Sequence, residues 1–456
     1  RSKTYAAPTV STKQRKRITK STIKSKNYKH KWLHFSMVEK GLGDEVNTMN
    51  LRSDGPYWLY NTPQLYTYPA LHSNVSTEAA IIGTGVSAAL TAYALVNTGC
   101  KVVMLTKHHP GTDSTAASTA LLQYEIDTPL YKLTGMHGQA AAERSYMLCH
   151  ESIDKLEKIH KHIGERKIFE RHDSVLLASL KKDVPELLLE YEARKTAGIE
   201  VDWLSSEDVM NRLGFDAPAA IVSKQAATTN AYRFTQQLIK WCVDKGAEVY
   251  DNAEVVDIKH NARSVTLTTS EGISVTAKHA VMAAGYESTK WLNLNVARMH
   301  STYAMISKPF AEGEIQTKGD LIWETARPYI YMRTTPDNCI ILGGKDDPFA
   351  SGKKRDAMLG KKTKDLQAAF AKKYPKLTFD VDYAWAGTFA ETIDGLPYIG
   401  TVKEMPRVQF ALGFGGNGIT FSQVAADIIT DTITGKKNPD AKLFSFYRKL
   451  MKPDIY

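Results

Sequence analysis

The sequence predicts a mixed α/β protein in which a domain built on a doubly wound parallel sheet is interlaced with a second domain built on an antiparallel sheet. Three observations lead there. The run AAIIGTGVSAALTAYALVNTGCKVVMLTK (79–107) reads as strand, glycine turn, helix and strand, the βαβ unit of a parallel sheet. Alternating residues in SVTLTTSEGISVTAKHAVMAAG (264–285) and PYIYMRTTPDNCIILGGKDD (328–347) read as hairpins, turning at Glu271-Gly272 and Pro336-Asp337-Asn338. Elements of the first kind return in the middle and at the end of the chain, so the two units alternate along it.

The 456 residues, 43% of them hydrophobic, suffice for two cores. Residues 1–48 form a basic tail. Residues 49–77, with SDGPYWLYNTPQLYTYPAL (53–71), are an extended lead-in that packs on the body. The first domain takes 78–160, 225–290 and 385–445; the second takes 161–224 and 291–384. Helices are expected over 138–162, 182–197, 230–245 and 355–374, and a strand over 378–388. FALGFGGNGITFSQVAADIITDTITG (410–435) reads as strand, glycine loop and long helix.

The net charge of +10 belongs to the tail: residues 1–38 carry eleven Lys/Arg and no acid, leaving the remainder at −1. Few large apolar residues stand in the tail to offset its ordering entropy, so disorder is expected there. Three origins remain open for it: an organellar transit segment, a nucleic-acid-binding arm, or sequence upstream of a start at Met37 or Met49. The near-neutral body argues against a nucleic-acid partner. Cys100, Cys149, Cys242 and Cys339 stand far apart, with no CxxC spacing, so neither a metal site nor a disulfide framework is expected, and reduced thiols point to the cytoplasm. No apolar run approaches the ~20 residues of a membrane span.

Gly83-Thr84-Gly85-Val86-Ser87-Ala88 fits GxGxxA. The first glycine makes the turn, the second lets a pyrophosphate approach the backbone, and helix N-terminal amides face the phosphates. Thr106 departs from the pattern. A carboxylate there accepts two ribose hydrogen bonds, whereas a threonine makes one, a loss of roughly 1–3 kcal/mol that a ligand held along its whole length tolerates.

AEVV (253–256), AVMAAG (280–285), DGLPYIG (394–400) and GFGGNGITFS (413–422), in that order after GxGxxA, resemble the FAD-dependent D-amino-acid oxidase superfamily of glycine and sarcosine oxidases and amine dehydrogenases. STAASTALLQYEID (114–127) and WETARPYIYMRTT (323–335) look like its bacterial branch of FAD-dependent oxidoreductases. The resemblance implies a Rossmann-like FAD-binding domain with a substrate domain. It places Gly83, Gly85, Val86 and Ser87 at the pyrophosphate, and Thr106 with Lys107 at the ribose. Ser114, Thr115, Ala117 and Ser118 lie between pyrophosphate and flavin, Val255 pairs its backbone with adenine, and Ala284 and Gly285 pass close to the cofactor. Gly413, Gly415, Gly416, Asn417, Gly418, Ile419 and Thr420 cover the flavin ring. The free amides of a helix N-terminus there stabilise the negative charge of the reduced ring.

In glycine-oxidase-like members an arginine anchors the substrate carboxylate; Phe389 stands at that place here. Arg333 is the candidate replacement, with a structural arginine as the alternative. Tyr331 and Tyr329 alternate to the same face as pocket walls or as ordinary sheet packing, and Tyr124 and Gln123 are further candidates. Ile341 occupies the place of the lysine that activates oxygen in sarcosine oxidases, leaving oxidase and dehydrogenase both open. The implied reaction is hydride transfer to flavin N5 from a carbon beside the nitrogen of a small amine or amino acid, with oxygen or a quinone as acceptor. Two other readings stand beside it: an RNA-associated flavoprotein recruited by the tail, and a flavin-binding protein without turnover.

Overall fold

The structure, a computed structural model, describes residues 51–451 apart from 54, 293, 295 and 318. The basic tail (1–48) lies outside the described residues. Mixed α/β architecture on two large sheets agrees with the expectation.

The first sheet has eight strands. Val75–Ile82 lies at its centre, parallel to Val102–Leu105 on one side and Ser274–Met282 on the other. Glu248–Tyr250 and Met405–Leu412 extend the parallel core outward, and Tyr398–Val402 closes one edge antiparallel. All four residues of Val102–Leu105 are buried, which is why VVML reads as a continuous apolar run. The helix Val86–Asn97 packs between Ala231–Asp244 and Gly418–Ile433 on one face, gathering Ile81, Leu90, Leu95, Leu238 and Ile429 into the main core. Alternate residues, Ala80 and Ile82, face a separate core with Leu267, Val275 and Phe410.

The second sheet has nine strands. Its order runs Val381–Glu391, Arg298–Ser307, Ile340–Pro348, Ile330–Thr334, Leu321–Glu324, Glu170–Leu177 and Ala219–Thr228. Leu121–Gln123 and Val201–Ser205 both pair with Ala219–Thr228, at different stretches of it. Every pairing is antiparallel except Leu321–Glu324 with Glu170–Leu177, which is parallel. Val381–Glu391 runs unbroken across residue 385, and Leu121–Gln123 pairs in this sheet, so the sheet takes pieces from both sides of the expected domain boundaries. Helix Gly352–Lys373 lays Leu366 and Phe370 over this sheet against Leu342, Phe379 and Phe215.

The lead-in ties the two sheets together. Leu51 and Ser53 bond the outer strand of the second sheet, through Thr388 N to Leu51 O and Ser53 N to Ala386 O, both 2.9 Å. They cover an otherwise open edge. The lead-in is not wholly extended: Tyr57–Asn61 makes one helical turn, and Tyr57 stacks on Trp385. Farther on, Asp251 N donates to Pro69 O beside the first sheet.

The aspartate of DGLP is a structural clasp. Asp394 is fully buried and accepts from Arg448 Nε and Nη2, each at 2.8 Å, and from His137 Nε2 at 2.9 Å. These hydrogen bonds outweigh desolvation and hold its pKa well below the ordinary carboxylate value. The unfolded chain therefore binds the proton more readily, and this clasp stabilises the fold above about pH 4, an advantage lost as pH falls toward the lower native pKa. Asp394→Asn should cost about 3 kcal/mol in urea unfolding at neutral pH. It should also flatten the fall in stability that the wild type shows between about pH 5 and pH 3.

Candidate active site

The glycine turn after Val75–Ile82 is held tightly. Gly83, at φ +112°, donates its N–H to Leu105 O at 2.8 Å, and a methyl group on it would strike the Ala283 carbonyl. Only glycine fits. Gly85 caps the helix Val86–Asn97 without a side-chain bond, and Val86 N–H donates to Thr115 Oγ1 at 3.0 Å. The Ser87 and Ser422 hydroxyls, 2.6 Å apart, join the first turn of this helix to that of Gly418–Ile433. The N-terminal parts of the two helices thus meet, and both helix starts border a common cavity.

The loop Gly413–Gly418 closes the other side. Asn417 precedes the long helix but does not cap it with its side chain: Nδ2 donates instead to Gln123 O (3.0 Å) and Glu125 O (2.8 Å). Gly416 N–H donates to Asp127 Oδ2 at 2.9 Å, and Gly415, at φ +57°, leaves no room for a methyl beside that carboxylate. Between the two glycine segments opens a cavity of about 2130 Å³, its mouth included.

Nearly all the expected cofactor residues line it: Gly83, Gly85, Val86, Ser87, Thr106, Lys107, Ser114, Thr115, Ala117, Ser118, Val255, Ala284, Gly285, Gly413, Gly415, Gly416, Asn417, Gly418 and Ile419. Thr420 is the exception, because its hydroxyl turns into the helix and donates to Asn417 O at 3.1 Å. Thr106 sits in the wall with its N–H on Tyr250 O and its carbonyl on Ala253 N. Beside it, Lys107 Nζ pairs with Glu287 Oε1 at 2.5 Å, and both residues line the cavity. A carboxylate is therefore present at this end after all, brought from 180 positions away.

At the other end the wall belongs to the second sheet: Thr302, Trp323, Tyr329, Tyr331 and Phe389, with Gln123, Glu125 and Asp127 on the approaching strand and the turn after it. Gly343 faces Tyr331 across the ladder, where any side chain would collide with the phenol. Burial pushes the Tyr331 hydroxyl up to about 12 and raises the Asp127 carboxyl above its ordinary value.

Two expected substrate residues are not brought here. Tyr124 is fully buried, and its hydroxyl accepts from Arg194 Nη1 at 3.3 Å. Just past the end of the strand Leu121–Gln123, its ring packs against Tyr146 and the Arg194 guanidinium. Arg333 shares the parity of Tyr329 and Tyr331 but lies one step beyond the cavity, with Nε on Thr119 O at 2.9 Å and its guanidinium over Trp58. Conversely, Glu125, Asp127, Trp323, Thr302 and Glu287 had not been singled out. Asp127 closes the quoted STAASTALLQYEID stretch, and no local signal marks Glu287.

A family model described as FAD-dependent oxidoreductase, DAO, matches residues 78–432. The chain belongs to this DAO family of FAD-dependent oxidoreductases. It is 25% identical over 414 residues to YhfW of Bacillus subtilis, named as a Rieske 2Fe-2S iron–sulfur protein, covering 88% of this chain and 76% of that one. Among solved structures, glycine oxidase from Geobacillus kaustophilus superposes with a TM-score of 0.67 at 19% identity, over 83% of this chain and 99% of that one. L-proline dehydrogenase from P. horikoshii gives 0.69 at 17%, over 82% and 98%. The fold is accordingly a Rossmann-like FAD-binding unit with a substrate-binding sheet.

The cavity of this FAD-dependent oxidoreductase fits its cofactor. Its glycine cradle leaves no room for Cβ atoms at Gly83 and Gly415, and the two uncapped helix N-termini at Gly85 and Asn417 suit a ligand with an anionic pyrophosphate and an electron-rich ring. Glu287→Ala should weaken FAD binding by roughly tenfold, read by flavin fluorescence titration of the apoprotein. Gly83→Ala should yield protein without bound flavin, read by its visible absorbance.

Proposed function

We propose that this enzyme oxidises a carbon–nitrogen bond of a small amine or amino acid and passes the electrons to oxygen or a quinone. One observation carries the reading: a cofactor cradle on the first sheet opens, without an intervening wall, onto an aromatic chamber on the second. The names of relatives such as glycine oxidase and L-proline dehydrogenase support the reaction class.

In this proposal Gly83, Gly85, Val86 and Ser87 would hold the pyrophosphate, Glu287 with Thr106 and Lys107 would hold the ribose, and the Val255 backbone would meet the adenine. Ser114, Thr115, Ala117 and Ser118 would lie along the stretch between pyrophosphate and ring. Amides from Gly413 to Ile419 would stabilise negative charge on the ring. FAD held there would supply a two-electron acceptor for hydride from the carbon next to nitrogen. Tyr329, Tyr331, Trp323 and Phe389 orient the substrate and keep bulk water away from it; the imine product hydrolyses after release. Hydride transfer depends on alignment more than on a strong base, consistent with a chamber walled mainly by aromatic rings.

Among the described residues no helix is long and apolar enough to cross a membrane. The same proposal places the enzyme in the cytoplasm, where its four free thiols stay reduced.

Purified protein should be yellow, and at least one compound in an anaerobic panel of amines and amino acids should bleach its flavin band. A panel that leaves the band intact, with dithionite still bleaching it, defeats the reading in favour of a flavin-binding protein without turnover. Arg333→Ala should lower thermal stability while leaving KM within about twofold, since the guanidinium is walled off from the chamber.

A further inference from the structure

The substrate end of the cavity is lined by carboxylates and by no Lys or Arg. Glu125 and Asp127 are both in its wall, whereas the only basic side chains lining the cavity among the described residues are Lys107 and Lys290, both from the first-sheet end. Phe389, the residue at the place of the family's carboxylate-anchoring arginine, lines the chamber and stacks on His300.

Two local imbalances reinforce this. Glu125 and Glu190 share one guanidinium, Arg194, with Nη1 at 3.3 Å from Glu125 Oε1 and Nε at 2.8 Å from Glu190 Oε1. All three side chains are almost completely buried, so the Glu125 carboxylate is turned to Arg194 and burial raises its pKa, whereas Asp127 is the partly exposed carboxylate of the chamber wall. Around Asp127 stand two more carboxylates, Asp346 and Glu391, together with His300, Arg298 and Arg327. Lys362, near Asp346, is paired with Asp347 at 2.8 Å. Arg327 lies exposed over the Tyr329 ring at 4.9 Å, outside the lining. Three carboxylates, whose pKa values burial raises, thus face two guanidiniums and an imidazole that burial keeps toward its neutral form.

We infer that this chamber takes a cationic amine without an α-carboxylate, its ammonium met by Asp127, in place of an α-amino acid held by its acid group. The inference rests on the C–N oxidation proposed above and narrows its substrate class. An ammonium would give Asp127 a charged donor and would answer the excess of negative charge. An added carboxylate would meet Phe389 and the like charge of Asp127. Asp127 also receives the Gly416 N–H, so an amine held there sits against the loop that covers the ring.

The test uses pentylamine and norleucine, which differ by one carboxylate, titrated calorimetrically under anaerobic conditions into FAD-loaded enzyme. Pentylamine should bind at least about tenfold more tightly than norleucine. Its affinity should fall as pH is lowered from about 8 to about 5, because the ammonium stays charged while the buried carboxylates take up protons. Asp127→Asn, which keeps an oxygen to accept the Gly416 N–H, should weaken pentylamine binding to the flavin-loaded variant by roughly tenfold or more. Arg327→Ala, on the exposed rim, should leave pentylamine binding within about twofold. The proposal is overturned if norleucine binds as tightly as pentylamine, if Asp127→Asn binds pentylamine as the wild type does, or if Arg327→Ala abolishes tight norleucine binding. Flavin absorbance, read first, separates the two levels: a wild type that takes up no FAD overturns the underlying reading, whereas a yellow enzyme that prefers norleucine overturns this inference alone.

Discussion

The active cavity depends on three hydrogen bonds that cross from one sheet to the other. Asn417 Nδ2 holds the carbonyls of Gln123 and Glu125, and Gly416 N–H holds Asp127. These bonds fix the last glycine loop, which leads out of the parallel sheet, against the first strand of the antiparallel one. Because Asn417 spends its side chain on this crossing, the helix behind it begins with uncapped amides. One residue therefore both joins the sheets and leaves donors turned to the cavity. A substitution that shortened or removed this amide would loosen the junction and expose the flavin side of the chamber together.

The architecture was legible in the sequence wherever one element announces itself locally. The βαβ unit, the two hairpins and the strand–loop–helix at 410–435 carry period-two or period-3.6 patterns with glycine punctuation, and each lies where its pattern put it. The parallel pairing of Leu321–Glu324 with Glu170–Leu177 was not legible, because register between distant strands is settled by packing rather than by either strand's own residues.

The site divided along the same line. Glycines marked the cofactor cradle because backbone crowding excludes every other residue there, and that constraint is visible in one short motif. Side chains at the substrate end follow from parity and reach. Tyr124 follows Gln123 directly past the strand end, and its ring packs against Tyr146 and Arg194 while Gln123 and Asp127 line the chamber. Arg333 had the right parity but stood one step too far along its strand. The cavity-wall carboxylate Glu287 arrives from a different segment and is fixed by its pairing with Lys107, so no motif around Thr106 announces it.

The Asp394 clasp also has a consequence for biogenesis. Its donors come from distant parts of the chain, His137 257 positions before it and Arg448 54 positions after it. A polypeptide emerging from the ribosome presents the first phosphate-binding turn well before the loop that covers the ring, and that loop before the arginine that locks the segment preceding it. The clasp thus closes only after Arg448 has emerged. A ribosome stalled or a message cut a few codons short of Arg448 would release a chain with its glycine cradle made and its clasp missing, a species that proteases would meet before the cofactor could secure it.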